Sequence, residues 1–300
     1  MMTTNGLKTS ALLRESLDEH GIARCLRVRK IGCWCNGCRR NEVGPRQPRR
    51  NRALLQLQPA HDEPMRINDP AQYRTAEEPD IVAELIDIRG AEVLELGCGA
   101  ARMTRLLVER FGAASVLATE VDLVQHEKNH ALDDLPQVRF AIGGAEAIDA
   151  ADERFDVVFM FKSLHHVPVD KMGLAMREIL RVLRPGGAAW FTEPVYWGPF
   201  NALLSMIHDE REARQAAFDA LASAVERGDF VCEAEIFFQS PGSYPSWDSF
   251  AERFLNVTHT ALDLDDARRS EIRAAFEQHM TPTGAHFLRP HRVDLLRKAG

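Results

Sequence analysis

From residue 91 onward, apolar positions fall in short dense runs separated by stretches where they recur at helical spacing. The runs Val93-Leu94-Glu95-Leu96, Val116-Leu117-Ala118-Thr119, Val138 to Ile142, Phe155 to Phe161 and Ala188 to Glu193 are too short for helices. Rich in β-branched and aromatic residues, they predict strands. Between them, Met103, Leu106, Leu107 and Phe111 mark the buried stripe of a helix over 101–111. A second helix is expected over Leu123 to Ala131, and Met172, Ala175, Ile179 and Leu183 predict a third over 171–183. An entry helix over Ile81 to Ile88, ended at Gly90, precedes the first strand. This alternation predicts a mostly parallel sheet with helices on both faces.

Beyond Glu193 the pattern loosens. Phe200 to Glu226 reads as one long helix or two, Phe230 to Phe238 alternates like a strand, and Trp247 to Leu255 and Asp265 to His279 read as helices. His286 to Leu296 should hold the last strand. The helical insertion after the fifth strand, about 195–285, is placed to act as a lid over a pocket.

The chemistry starts where the first strand ends. Gly97-Cys98-Gly99 lets a ligand lie against bare backbone, because glycine has no Cβ and tolerates positive φ. The next strand ends in Glu120, a position suited to hold ribose hydroxyls. A dinucleotide fingerprint would need a third glycine where Arg102 stands, and no Gly-Lys-Ser/Thr ending follows to make a phosphate loop. An adenosine-containing cofactor without a pyrophosphate grip fits this pattern.

The segment Val93 to Gly99 followed by Glu120 resembles the first two motifs of class I S-adenosylmethionine (SAM) dependent methyltransferases. Val138 to Glu146, Phe155 to Phe161 with Ser163-Leu164-His165-His166-Val167, and Leu180 to Gly187 leading into Ala188–Glu193 are similar to that family's later motifs, in family order. The resemblance covers about a third of the chain. It implies a Rossmann-like, mostly parallel seven-stranded sheet with an antiparallel last strand, and SAM as cofactor. On this resemblance Glu95, Gly97 and Gly99 meet the methionyl and ribose portions, with Cys98 contributing backbone. Glu120 accepts the ribose hydroxyls, Val121 packs on adenine, Ala145 and Glu146 line the adenine loop, and Phe161 and Lys162 border the methionyl group. Two positions depart from the family pattern: Gly144 stands where Asp is common, and Lys162 is placed to pair with Glu95 or an acidic acceptor.

His165 and His166 follow the fourth strand at the carboxyl edge, where open α/β sheets bind ligands, and are the candidate catalytic groups. Tyr196, Trp197 and His208 are candidate walls of the acceptor pocket. No Asn/Asp-Pro-Pro-aromatic motif of base-nitrogen methylation follows the fourth strand. The reading is methyl transfer to the oxygen, nitrogen or carbon of a small molecule, similar to ubiquinone-pathway enzymes; which atom, and the oligomeric state, are open.

Composition changes this picture only at the N-terminus. The 300-residue chain carries a formal charge of −7, but residues 24–52 alone carry +9 and residues 53–300 carry −15. So acidic a catalytic part repels phosphate backbones, which makes nucleic acid an unlikely partner. The basic stretch holds Cys25, Cys33, Cys35 and Cys38, whose crowding departs from ordinary zinc-ligand spacing, and no metal is expected. Residues 1–64 are read as a poorly ordered segment ahead of a domain over 65–300. An RNA-guiding appendage, which would make the protein an RNA methyltransferase, or a start at Met65 are the alternatives; a SAM-binding protein without turnover is a further one. With no apolar run near the ~18 residues of a membrane span and no secretory leader, a cytoplasmic enzyme without membrane insertion is expected.

Overall fold

The computed structural model describes residues 64–255 and 264–300. The expectations for the basic, cysteine-containing segment lie outside the described residues. In chain order the elements are β1 (Arg74–Thr75), α1 (Glu78–Leu85), β2 (Glu92–Leu96), α2 (Arg102–Glu109), β3 (Ser115–Glu120), α3 (Leu123–His130) and β4 (Val138–Ile142). There follow β5 (Phe155–Phe161), α4 (Met172–Val182), β6 (Leu183–Pro194), α5 (Gly198–Leu204), α6 (Arg211–Glu226) and β7 (Phe230–Tyr244). The chain closes with α7 (Trp247–Phe254), α8 (Asp266–Glu277), β8 (Met280–Thr281) and β9 (Gly284–Lys298).

The strands form one sheet in the order β1-β7-β9-β6-β5-β2-β3-β4, with β8 paired to β9. β2 is hydrogen-bonded in parallel to both β3 and β5, so the chain winds outward through β3 and β4, then returns to wind the other way through β5 and β6. That reversal opens a crevice at the carboxyl end of β2. β9 runs antiparallel between β6 and β7, as expected of the last strand. Among the described residues the sheet has nine strands rather than seven, because the two-residue strands β1 and β8, too short to leave any periodic signal, extend it.

Both faces are covered, which is why the central strands are apolar on both sides. Leu94, Val158 and Phe191 pack on one face with Met176 and Ile179 of α4 and Leu221 of α6. On the other, Val93, Phe159 and Trp190 pack with Val82 of α1 and Leu107 of α2. A separate aromatic cluster of Phe200, Tyr244, Phe250, Phe276 and Phe287 ties α5, α7 and α8 to the ends of β7 and β9.

Several boundaries differ from the sequence reading. The entry helix begins at Glu78 and ends at Leu85, because Pro79 suits its first turn and Ile86 is already extended. Of the two readings open for 200–226, one helix or two, the structure has two, broken at 205–210. The Arg-Pro-Gly-Gly segment belongs to β6, which pairs from Leu183 with Phe155 through an irregularity before the regular ladder starts at Ala188. Among the described residues no helix is long and apolar enough to cross a membrane.

Candidate functional site

The loop after β2 is built to expose backbone and to stay in place. Gly97, Gly99 and Ala101 all have positive φ, of 73°, 50° and 57°. A Cβ at Gly97 would lie 2.7 Å from the Ser163 Cβ, while one at Gly99 would meet nothing within 4 Å. Gly97 thus permits close approach of the loop after β5, and Gly99 leaves open space where a side chain would start. The Ser163 hydroxyl donates to the Leu96 carbonyl at 2.7 Å, joining the two loops. Asn129 of α3, buried, donates to the Gly99 carbonyl at 2.7 Å and lies 3.4 Å from the Cys98 sulfur. The Cys98 N–H donates to the Thr119 carbonyl at 2.9 Å, so that amide is already engaged.

Glu120, at the end of β3, organises the same loop. One carboxylate oxygen accepts the Gly99 N–H at 2.8 Å. The other accepts the N–H groups of Val121 and Asp122 at 2.8 and 3.0 Å. Beside it, Val121 is 66% exposed, as is its strand neighbour Ile142 at 59%, which pairs with Glu120 in the ladder. Two large apolar side chains left bare at the sheet's carboxyl edge form a surface for a flat ring. Ala145 is buried, and the Glu146 carboxylate accepts from Lys171 at 3.2 Å. A Cβ at Gly144 would meet the Glu146 carboxylate, the end of a flexible side chain that can swing aside.

Deeper in the crevice, Glu95 is 1% exposed, and its Oε2 has no hydrogen-bond partner among the described residues. Burial pushes its carboxyl up to about 8. Phe161 closes β5 with its ring stacked on Phe159, and Lys162 sits at φ 59° with its N–H donating to the Thr192 carbonyl. The Lys162 ammonium pairs with Glu78 of α1 rather than with Glu95, because Pro79 starts the helix early enough to bring Glu78 over the end of β5.

The two histidines occupy a single 3₁₀ turn, Leu164–His166, after β5. His165 is buried with its Nδ1 2.5 Å from the Glu193 carboxylate, whose other oxygen accepts the Leu164 N–H at 3.0 Å. Burial would raise the Glu193 carboxyl, but the charge and hydrogen bond of His165, with the Leu164 amide, hold it below the usual range. His166 is exposed, its ring 4.0 Å from that of His165. Glu210, just ahead of α6, reaches the same place: one nitrogen of each histidine and one Glu210 oxygen all lie within 4.8 Å of one another. Arg214 donates to Glu210 and to Asn201, both at 2.6 Å.

Next along the sheet, Glu193 stands opposite Arg292 of β9. Arg292 donates to Asp294 at 2.7 Å and lies over the Phe218 ring at 4.6 Å. Burial pushes the Asp294 carboxyl up to about 6. Trp197 stacks on Tyr73 at 4.8 Å, and Tyr73 meets Phe237 at 5.6 Å, giving an aromatic wall. Tyr196 instead accepts from Arg211, which also covers its ring, and His208 is exposed on the 205–210 link. Of Tyr196, Trp197 and His208, Trp197 is the one that joins this aromatic group. Glu193, Arg292 and Asp294 went unnoticed although each is a charge in an apolar strand; Glu210 and Tyr73 carry no comparable signal.

Residues 93–187, which hold the glycine turn after β2 and the strand-end carboxylate Glu120, match the family described as a methyltransferase domain. The chain is 37% identical over 133 residues to the phthiotriol/phenolphthiotriol dimycocerosates methyltransferase of Mycobacterium tuberculosis, covering 43% of this chain and 44% of that protein. It is 28% identical over 130 residues to methyltransferase GfsG of Streptomyces halstedii, covering 41% and 45%. The match therefore spans less than half the length of these curated relatives. A solved Bacillus halodurans protein proposed to be a methyltransferase shares the fold, with a TM-score of 0.54 at 16% identity, over 75% of this chain and all of that one. None of these three bears on the likeness to ubiquinone-pathway enzymes.

Proposed function

We propose that the protein transfers a methyl group from SAM to a small-molecule acceptor. The observation that carries this reading is the buried Glu95 carboxylate, one oxygen of which has no partner among the described residues, beside the turn where Glu120 and the Cβ-free Gly99 stand. Those groups fit the cofactor: Glu95 faces its cationic amino-acid end, Glu120 its ribose, and Val121 with Ile142 its adenine. SAM supplies an electrophilic methyl on a sulfonium, so the protein's task is mainly to align a nucleophile and exclude water.

The acceptor is placed on the far side of the His165–His166 turn, bounded by the Tyr73–Trp197 wall and by elements within 195–285. In this reading the two histidines deal with the acceptor's proton, and Glu193 fixes which nitrogen of His165 faces it. The −15 charge of residues 53–300 favours an uncharged or cationic small molecule over RNA. That the Mycobacterium tuberculosis relative is named for a lipid acceptor supports a small molecule with substantial apolar surface.

The test is S-adenosylhomocysteine formation, followed by mass spectrometry, across a panel of hydroxylated and aromatic acceptors. Turnover that needs both an acceptor and an intact Glu120 is expected. Cofactor binding without turnover on any acceptor would point to a SAM-binding protein that does not catalyse.

A further inference from the structure

We infer that His165, His166 and Glu210 form a binding site for a first-row divalent transition-metal cation on the acceptor side of the crevice. The three candidate donor atoms lie within 4.8 Å of one another. Donors bound to such an ion at about 2.1 Å sit roughly 3 to 3.5 Å apart, so modest side-chain rotation closes the set. His166 is exposed and Glu210 half-buried, so both have room for that adjustment.

The surroundings of the donors support coordination. Glu193 engages Nδ1 of His165 at 2.5 Å, leaving Nε2 as the ligating nitrogen; a carboxylate behind an imidazole is the usual outer-shell partner of a metal-bound histidine. The Leu164 amide holds that carboxylate in turn. Arg214 takes Oε2 of Glu210, which leaves Oε1 for a metal and fixes the side chain. Two imidazoles and one carboxylate suit Mn²⁺, Fe²⁺, Co²⁺ or Zn²⁺ better than Mg²⁺ or Ca²⁺, which prefer all-oxygen sets. Arg214 and Arg292 oppose a cation while Glu193 and Glu210 favour it, so binding should be weaker than at a closed structural zinc site.

Three protein ligands leave coordination positions open, the pattern of catalytic sites. Resting on the methyltransferase reading, this assigns the acceptor class as a molecule presenting a hydroxyl or phenol oxygen. Held by His165, His166 and Glu210, such an ion would make the acceptor oxygen easier to deprotonate, so the ion rather than the free histidines would handle the acceptor's proton. The deprotonated oxygen would form the new O–CH₃ bond as the S–CH₃ bond breaks, leaving a neutral thioether. The site departs from the metal-free expectation drawn from the sequence, where nothing joins Glu210 to the histidine pair.

The experiment uses the full chain, stripped with chelator and titrated with Co²⁺ while visible absorption is recorded. One equivalent with weak d–d bands is expected. His166→Gln and Glu210→Gln should each weaken that binding at least tenfold; His166 is exposed, so its variant keeps the fold even if the other does not. Equal Co²⁺ affinity in wild type and both variants, or solely the intense near-ultraviolet bands of thiolate ligation, would place any metal on Cys25, Cys33, Cys35 and Cys38 and overturn the inference. SAM calorimetry on the same samples separates the two claims: Co²⁺ binding that neither substitution alters, with SAM binding intact, rejects the metal site alone, and Co²⁺ binding that both substitutions weaken, with no SAM binding in the wild type, rejects the cofactor reading alone.

Discussion

Replacing Glu120 by glutamine changes one atom's chemistry and nothing of its shape. In the native loop both oxygens accept, one from Gly99 and the other from Val121 and Asp122. Glutamine has a single acceptor oxygen, so whichever way its amide turns, an NH₂ must face a backbone N–H. The better choice keeps Val121 and Asp122 bonded and sets the NH₂ against the Gly99 amide. One charge-assisted hydrogen bond, worth about 1.5–3 kcal/mol, is then lost and a partly buried donor is left without a partner. We expect a stability loss of about 2–4 kcal/mol, read as a fall in the urea midpoint with an unchanged slope. The same exchange removes one ribose acceptor and the negative charge. A loss of about 3 kcal/mol in SAM binding corresponds to roughly 150-fold in Kd by calorimetry. Wild-type affinity in the Glu120→Gln variant, within about threefold, would refute the placement of the cofactor and the role of this carboxylate.

Other consequences follow from the buried groups. Because the Glu95 carboxyl is pushed up to about 8, it is largely protonated at pH 7 in the free protein, and a cationic ligand beside it should drive the proton off. Calorimetry in buffers of different ionisation enthalpy should show proton release on SAM binding at pH 7, absent in Glu95→Gln; identical heats after buffer correction would count against it. Glu193→Gln should cost roughly 3 kcal/mol at pH 7 by breaking a buried pair. The native Glu193 carboxyl titrates below its unfolded value, so its contribution is present above the ordinary carboxylate range and fades as pH falls through the folded value. Urea denaturation from pH 7 to 3 should therefore show the gap narrowing in acid, and a gap that widens there would contradict the assignment. Gly97→Ala forces a Cβ to within 2.7 Å of Ser163 at φ 73°, and should lower stability and SAM affinity together; a tolerated variant would mean that the loops after β2 and β5 do not meet.

The central strands were legible because burial on both faces makes them dense apolar runs, as in Phe155–Phe161. β1 was not, since Arg74 and Thr75 join the sheet only by docking on β7 at Phe238 and Gln239. The turn proposed to hold the cofactor was legible from local chemistry: glycine φ, a strand-end acid and their separation are all properties of one short segment. The acceptor side could not, because it is assembled from distant pieces. Glu193 opposes Arg292 across a ladder between strands far apart in sequence, and Glu210 is set beside His165 by the break between α5 and α6. Lys162 shows the same limit: its partner Glu78 lies on the entry helix, whose start was placed three residues too late.

The measurement that bears most directly on the account is calorimetric titration of the purified protein with SAM and S-adenosylhomocysteine, beside NAD. Saturable one-site binding of the first two and none of NAD is the predicted result. Silence toward SAM, or equal binding of NAD, would contradict the claim that the crevice at β2 is a SAM site.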